Sequence, residues 1–476
     1  MRFEEPHTSG TALQLVAVLS CALSGVSDGM HYAWTAPIIP ILQNTNSTLQ
    51  ITEADVLWLE NIYMIGGFAG IPFTILTIDR FGRKSTILVG VVQSIISWIL
   101  IAFGSSIEYL YVARFLSGVA ADVGFVAVPM YVAEVADKKI RGFLGSWIYL
   151  MMLVGVIIIY SIGPFVSIPV SSAVGCAFLL VELFSFPFMP ESPYYYILKN
   201  NRDAARKSLQ RLRSSNELEE ELDEITAVVN IQRSEQHCTD LVVEKNSRKA
   251  LLILTVLNLA QHFSGYSVIL MNFHSILNDT ESAIGSNNTA IVYSIIMFVA
   301  ALLASVLVDK VGRKILLSSS STLTGISVLI LAIYFSVKSV GVNIESFNWI
   351  PIFSVMLFAV SFKVGLGIVP IVSTGELFPT NVKALGMTAA DGVYMFASIL
   401  SVYVYQHLKD NYGNHVPFFM FAGCCFVTTI FTIIVIPETK GRTLHEIQLI
   451  LGGNLDSSQR ESIELKLNDV KTTNIV

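Results

Sequence analysis

Charge is what this chain has little of. Only 14% of its 476 residues are Asp, Glu, Lys or Arg, against roughly 25% in an ordinary globular domain. A soluble protein of this length needs a larger polar surface than that. The scarcity excludes a large soluble enzyme and a disordered regulator. Net charge is −6 and the isoelectric point is about 5.8, so there is no basic footprint for a nucleic acid. Cysteine is scarce too. Cys21, Cys176, Cys238, Cys424 and Cys425 are too few and too scattered for a disulfide framework or a zinc site. No GxxxxGK followed by Ser or Thr is present, which argues against ATP drive. No cofactor, metal or catalytic constellation is implied.

Apolar residues are abundant instead, at 53%, with a mean hydropathy of +0.62. They fall in long runs, whereas a soluble core interleaves them with polar residues. A helix needs roughly 20 mainly apolar residues to cross a bilayer. Runs of that kind occupy 12–34, 55–78, 85–104, 107–133, 142–165 and 170–190, then 250–277, 289–308, 315–336, 348–375, 385–407 and 415–436. The expected fold is all-α, with twelve spans in two six-helix bundles, residues 1–190 and 250–440. A polar linker, 191–249, separates them, and 441–476 forms a polar tail. Charges at helical spacing, with Leu209, Leu212, Leu218, Leu222 and Ile225 as thin apolar stripes, predict short amphipathic helices in the linker.

Basic residues set the orientation. Arg80, Arg83 and Lys84 follow span 2, Lys138, Lys139 and Arg141 follow span 4, and Lys310, Arg313 and Lys314 follow span 8. The linker carries ten Lys or Arg, from Lys199 to Lys249. These segments and both termini are therefore expected in the cytoplasm of a multi-pass cell-membrane protein. Three sequons, at Asn46, Asn278 and Asn287, fall on the opposite side, as glycosylation requires.

The two halves repeat one another. Asp79-Arg80-Phe81-Gly82-Arg83-Lys84 after span 2 matches Asp309-Lys310-Val311-Gly312-Arg313-Lys314 after span 8. Glu134 ends span 4 seven residues before Arg141, and Glu376 ends span 10 seven before Lys383. Pro190-Glu191-Ser192 ends span 6, and Pro437-Glu438-Thr439 ends span 12. Parallel repeats of six helices are an architecture of secondary transporters, with the substrate site at the interface near mid-membrane.

With RFLSG, VPMYVAEV, PESP, AQHFSG, GELFP and PETKGRTLHEI, these motifs resemble the sugar porter family of the major facilitator superfamily, over about residues 11–450. That family includes facilitated hexose transporters and insect facilitated trehalose transporters. The resemblance implies facilitated diffusion of a hexose or trehalose by alternating access. The partners it implies are a small-molecule sugar and the lipid bilayer, with no obligate protein partner evident. It also implies a cytoplasmic latch, with Glu134 and Arg141 pairing to the 79–84 loop, Glu376 and Lys383 to the 309–314 loop, and Glu191 and Glu438 docking the central helices. Alternatives are a proton-coupled or non-sugar solute transporter, or a non-transporting sugar sensor.

A sugar site needs amides, hydroxyls and aromatic faces. The family's Gln-Gln-x-x-Gly-x-Asn in span 7 reads here Gln261-His262-Phe263-Ser264-Gly265-Tyr266-Ser267. The span-5 Gln is Tyr149, the span-8 amide is Met297, the span-10 Trp is Ile371, and the span-11 Asn-Trp is Tyr394-Met395. Scaffold motifs survive while most sugar-binding amides do not. The candidate substrate contacts are Gln261, His262, Tyr149 and Tyr394. Asp28, Asp122, Lys363 and Asp391 are intramembrane ionisable groups, which tend to mark a pathway. Asp28, Asp122 and Lys363 are coupling candidates, with Lys363 expected to pair with Asp28 or Asp122. Asp391 is expected near a helix end, and Arg114 is expected to reach the membrane interface.

Overall fold

The computed structural model describes residues 8–44, 49–137, 141–213, 218–235, 240–278, 285–342, 345–378, 382–440, 442 and 444–452. Eleven helices are long and apolar enough to cross a membrane, and Trp147–Ile162 is a shorter one. The chain is an all-α, twelve-span membrane protein. In lipid a helix satisfies its own backbone, which is why each apolar run resolves this way. Side chains such as Leu76, Phe184 and Ile434 remain exposed around the perimeter, where hydrocarbon takes the place of water.

Spans 2, 3, 4, 5 and 6 are Glu53–Phe81, Arg83–Phe103, Ile107–Val135, Arg141–Ile162 and Ile168–Ser185. Spans 8, 9, 11 and 12 are Ser286–Val311, Arg313–Ser339, Lys383–Tyr412 and His415–Val435. Span 2 starts at a capping box: Thr52 Oγ1 accepts from Asp55 N–H at 3.3 Å, and Thr52 N–H donates to Asp55 Oδ2 at 2.8 Å. Packing repeats between the halves. Spans 1 and 5, 2 and 4, 3 and 6 pack together, and so do 7 and 11, 8 and 10, 9 and 12. Across the halves, span 2 meets span 11 and span 5 meets span 8. Small residues allow the closest approaches, with Gly118 against the Tyr63 backbone and Gly155 against that of Val26.

Three spans are broken. Span 1 runs as Thr8–Cys21, Leu23–Tyr32 and Thr35–Leu42, well past the expected end at residue 34. Pro37 looks like a terminator, yet it lies in the first turn of the third piece, where no backbone donor is needed. Span 7 runs as Lys245–Phe263, then Tyr266–Met271 after a left-handed Gly265 (φ +91°). Span 10 runs as Ile350–Val364, then Val369–Leu377.

The linker folds as Pro193–Leu198, Arg202–Leu212, Leu218–Glu235 and Asp240–Val243. Leu209, Leu222 and Ile225 are buried with Ile197, Ala205 and Val229 in a small core of their own, with Leu218 packed against it. Leu212 instead joins the main core. Arg202 pairs with Glu219 and Asp223, and Arg213 with Glu221. The tail is not all tail. Helix Leu444–Gly452 packs on span 7, where Lys249 Nζ donates to Leu451 O at 2.7 Å and Asn246 Nδ2 to Gln448 O at 3.1 Å.

Candidate functional site

The two GRK loops have the same geometry. Gly82 and Gly312 have φ of +93° and +103°, a region that favours glycine because a Cβ would clash. Each sits against a carboxylate, Glu191 and Glu438 respectively. Glu191 accepts from Lys84 N–H at 3.1 Å, and Glu438 accepts from Arg313 N–H at 2.9 Å and Lys314 N–H at 3.1 Å. Helix-start amides next to a carboxylate are favourable. Burial pushes the Glu191 carboxyl above the ordinary carboxylate range, against the lowering effect of its bonds from the Ser192 and Lys84 amides.

Arg83 donates to Glu134 Oε1 from Nε at 3.2 Å and from Nη2 at 2.9 Å, and Ser192 Oγ donates to Glu134 Oε2. The second half repeats this, with Arg313 Nη2 donating to Glu376 Oε1 at 2.9 Å and Thr439 Oγ1 to Glu376 Oε2 at 2.7 Å. These pairs lie within each half and not between halves. Each ties the end of span 4 or 10 to the loop before span 3 or 9 and to the end of span 6 or 12. Asp79 is exposed, and no described ion pair includes it. The side chains of Arg141, Asp309 and Lys383 lie outside the described residues.

The centre of the molecule is a cluster of hydroxyls and rings. The break at Gly265 turns span 7 so that His262 Nδ1 meets Ser267 Oγ at 2.7 Å. Ser267 is the hub, since Tyr32 OH lies at 3.0 Å and Ser398 Oγ at 3.1 Å. Tyr394 packs edge-on to His262, with ring centroids 4.3 Å apart. Lys363 Nζ donates to Tyr149 OH at 2.6 Å and to Tyr266 OH at 3.1 Å, and lies 4.3 Å from the Tyr266 ring centroid. Gln261 sits slightly apart. Its Nε2 donates to Leu366 O at 2.9 Å in the span-10 break, while its Oε1 is buried without a partner. Three of the four expected contacts, His262, Tyr149 and Tyr394, thus share one cluster, and Gln261 pins the neighbouring break.

The buried ionisable groups depart from expectation. Lys363 meets neither Asp28 nor Asp122, because two phenol oxygens and the ring faces already take up its ammonium. Asp28 accepts from Tyr63 OH at 2.7 Å, and Asp122 accepts from Thr74 Oγ1. Asp391 lies about two turns inside span 11 and not at its end, and its Oδ2 is buried without a hydrogen-bond partner. Arg114 does not reach the interface. It is fully buried, donates to Leu59 O at 3.1 Å and to His31 O at 2.5 Å, and lies 4.6 Å from the Tyr63 ring centroid. Sequence reasoning also passed over Glu60 and Glu182, which are buried inside spans 2 and 6. Glu182 accepts the Ser24 N–H freed by the break in span 1, a long-range contact with no sequence signal.

Polar bridges join the halves within this cluster and around it. Towards the face away from the GRK loops they are Tyr32–Ser267, Thr35 Oγ1 to Met271 O at 3.4 Å, and Tyr160 OH to Leu270 O at 2.6 Å. Nearer the GRK face the bridge is Lys363–Tyr149.

The chain is similar to known proteins over most of its length. The chain is 30% identical over 458 residues to a facilitated trehalose transporter, Tret1, of Polypedilum vanderplanki, covering 93% of this chain and 88% of that one. It is 28% identical to the Tret1 of Culex quinquefasciatus, with 95% and 88% covered. Among solved structures, the partially occluded inward-open xylose transporter XylE from E. coli superposes with a TM-score of 0.75 at 20% identity, with 91% of this chain and 100% of that one covered. The proton:xylose symporter XylE bound to 6-bromo-6-deoxy-D-glucose gives 0.74 at 19% identity, with 93% and 100% covered. The family model described as sugar (and other) transporter matches residues 12–451. Matched by that family model over most of its length, and 30% identical to one of its relatives, this chain belongs to the sugar transporter family.

Proposed function

We propose that the protein carries a neutral sugar, trehalose or a hexose, down its gradient by alternating access. One observation carries this reading: a central cluster brings Tyr32 and Tyr149 of the first half together with His262, Tyr266, Ser267 and Tyr394 of the second. Hydroxyls and ring faces suit a solute with many hydroxyls and a weakly apolar ring. The trehalose transporters among its relatives favour the disaccharide. In this reading the two bundles, residues 1–190 and 250–440, rock against each other about the cluster, and 191–249 and 441–476 lie with both termini in the cytoplasm of the cell. The Arg83–Glu134 and Arg313–Glu376 clamps rigidify each half and release as the cytoplasmic side opens. Asn46, Asn278 and Asn287 are the proposed glycosylation sites. Asn46 and the Asn278 side chain lie outside the described residues, and Asn287 lies in the first turn of span 8.

A second reading, a sugar acid as solute, is favoured by Lys363. Its ammonium is buried, and among the described residues no carboxylate pairs with it. The experiment is uptake of labelled glucose, trehalose and glucuronate into a transporter-deficient cell, with and without a pH gradient. Saturable glucose or trehalose uptake supports the first reading, and uptake of glucuronate alone supports the second. Uptake of none, with the protein at the surface, overturns both.

A further inference from the structure

Lys363 brings a positive charge to the centre of the molecule with no negative one to meet it. It sits in the last turn of the first piece of span 10 and is 1% exposed. Its Nζ donates to Tyr149 OH at 2.6 Å and to Tyr266 OH at 3.1 Å. The ring centroids of Tyr266, Tyr149 and Phe362 lie 4.3, 5.1 and 5.5 Å away. Among the described residues no carboxylate pairs with it. Asp28 is engaged by Tyr63, Asp122 by Thr74, and Glu182 by the Ser24 amide. Asp391 Oδ2 and Glu60 Oε1 are buried and meet no hydrogen-bonding group, Lys363 included.

The hydrogen bonds leave donors over. An ammonium has three N–H donors, and a phenol has one O–H donor beside the lone pairs with which it accepts. Lys363 uses two of its three on the phenols, and among the described residues neither phenol passes its own hydrogen to an acceptor. One N–H, two O–H groups and a full positive charge therefore meet with no acceptor among them. Water can take the donors, but it leaves the charge unpaired, which is costly in the interior. The groups also ride on different bodies. Tyr149 belongs to span 5 of the first half, whereas Lys363 and Tyr266 belong to spans 10 and 7 of the second. Tyr149 is half-buried, and its bond to Lys363 is the bridge nearer the GRK face. When the halves part there, Tyr149 leaves with the first half and the ammonium loses its shorter bond.

We propose that Lys363 and Tyr266 form a binding site for a small monovalent inorganic anion such as chloride, which takes the place that Tyr149 vacates when the GRK side opens. The Lys363 N–H groups and the Tyr266 O–H donate to the anion, and its charge answers that of the ammonium. Anion and Tyr149 phenol compete for the same ammonium. The anion therefore binds the open arrangement better than the closed one and shifts the population towards it. The site goes beyond both readings of the solute, since it needs only the ammonium and the phenol and acts with no solute present.

The test uses the full-length protein in lipid nanodiscs without sugar, so it stands apart from any uptake result. Spin labels on Arg80→Cys and Met387→Cys, with Cys176, Cys238 and Cys424 replaced by Ser, report the spacing of the halves on the GRK side. Chloride replaces the bulkier methanesulfonate at constant ionic strength. The expected result is a saturable shift from a short to a longer distance, absent from Lys363→Met. Tyr149→Phe removes the competitor and should lower the half-saturating chloride several-fold. Tyr266 stays beside Lys363 in both arrangements, so Tyr266→Phe removes a donor to the anion and should raise it several-fold. Both phenol variants keep the ammonium, and they decide the matter if Lys363→Met does not assemble. A native distance that ignores chloride overturns the proposal. So does a shift that survives in Lys363→Met, or phenol variants that move the half-saturation in the same direction. A parallel titration with glucuronate separates an inorganic ion from a solute carboxylate. A response to glucuronate with none to chloride overturns the proposal and gives Lys363 to the solute.

Discussion

The Lys363 ammonium of span 10 donates to the Tyr149 phenol of span 5 at 2.6 Å and so ties the second half of the molecule to the first. The bond replaces an ion pair by a cation held among hydroxyls and rings. That has a consequence for stability. Lys363→Met leaves no carboxylate without its partner, so it should cost little, since apolar replacement of a buried charge is often neutral or stabilising. Tyr149→Phe leaves a buried ammonium short of an acceptor and should cost about 1–3 kcal/mol. In thermal unfolding of the purified protein, the double variant should be more stable than Tyr149→Phe alone. Additive losses would show that the two side chains are not coupled.

The clamps make a kinetic prediction. Glu376→Gln and Glu134→Gln each weaken a charge-assisted bond to arginine at 2.9 Å. Losing about 1.5 kcal/mol from the clamped state changes its equilibrium by roughly tenfold. Uptake should slow by several-fold with surface expression retained. Unchanged kinetics in both variants would remove the clamps from the transport cycle.

Gly82 and Gly312 predict a stability asymmetry between glycines. Alanine at either must adopt a positive φ and crowd Glu191 or Glu438, costing about 1–2 kcal/mol or more. Gly423 is helical with open space around it, so Gly423→Ala should instead stabilise by about 0.5–1 kcal/mol. Melting temperatures of the three variants check the ordering. A Gly82→Ala protein as stable as the parent would show that the loop relaxes freely.

Ser267 and Gln261 should separate binding from scaffold. Ser267→Ala removes the hydroxyl shared by Tyr32, His262 and Ser398, so the apparent KM for sugar should rise. Gln261→Ala unpins the span-10 break and should lower the melting temperature, by about 1–2 kcal/mol of stability. Sugar-concentration dependence of uptake, read beside thermal unfolding, distinguishes the two. Equal effects of both variants on KM alone would place Gln261 against the solute.

The spans, the repeat, the GRK turns and the linker stripes could all be read along the chain, because each is local. An apolar run of bilayer length has one satisfied backbone state, a glycine between a helix end and a helix start marks a tight turn, and Leu209, Leu222 and Ile225 recur at helical spacing. The partners of buried groups could not be read that way. Ser24 and Glu182 are 158 positions apart, and which group meets which depends on how spans 1 and 6 rotate against one another. Lys363 settled on Tyr149 and Tyr266 for the same reason, and Arg114 turned inward because the backbone oxygens of His31 and Leu59 were there to receive it. Composition and periodicity determined that this is a twelve-span protein with few charges. Only tertiary packing decided which of those charges are clamped, caged or paired, since that is settled by side-chain distances across helices.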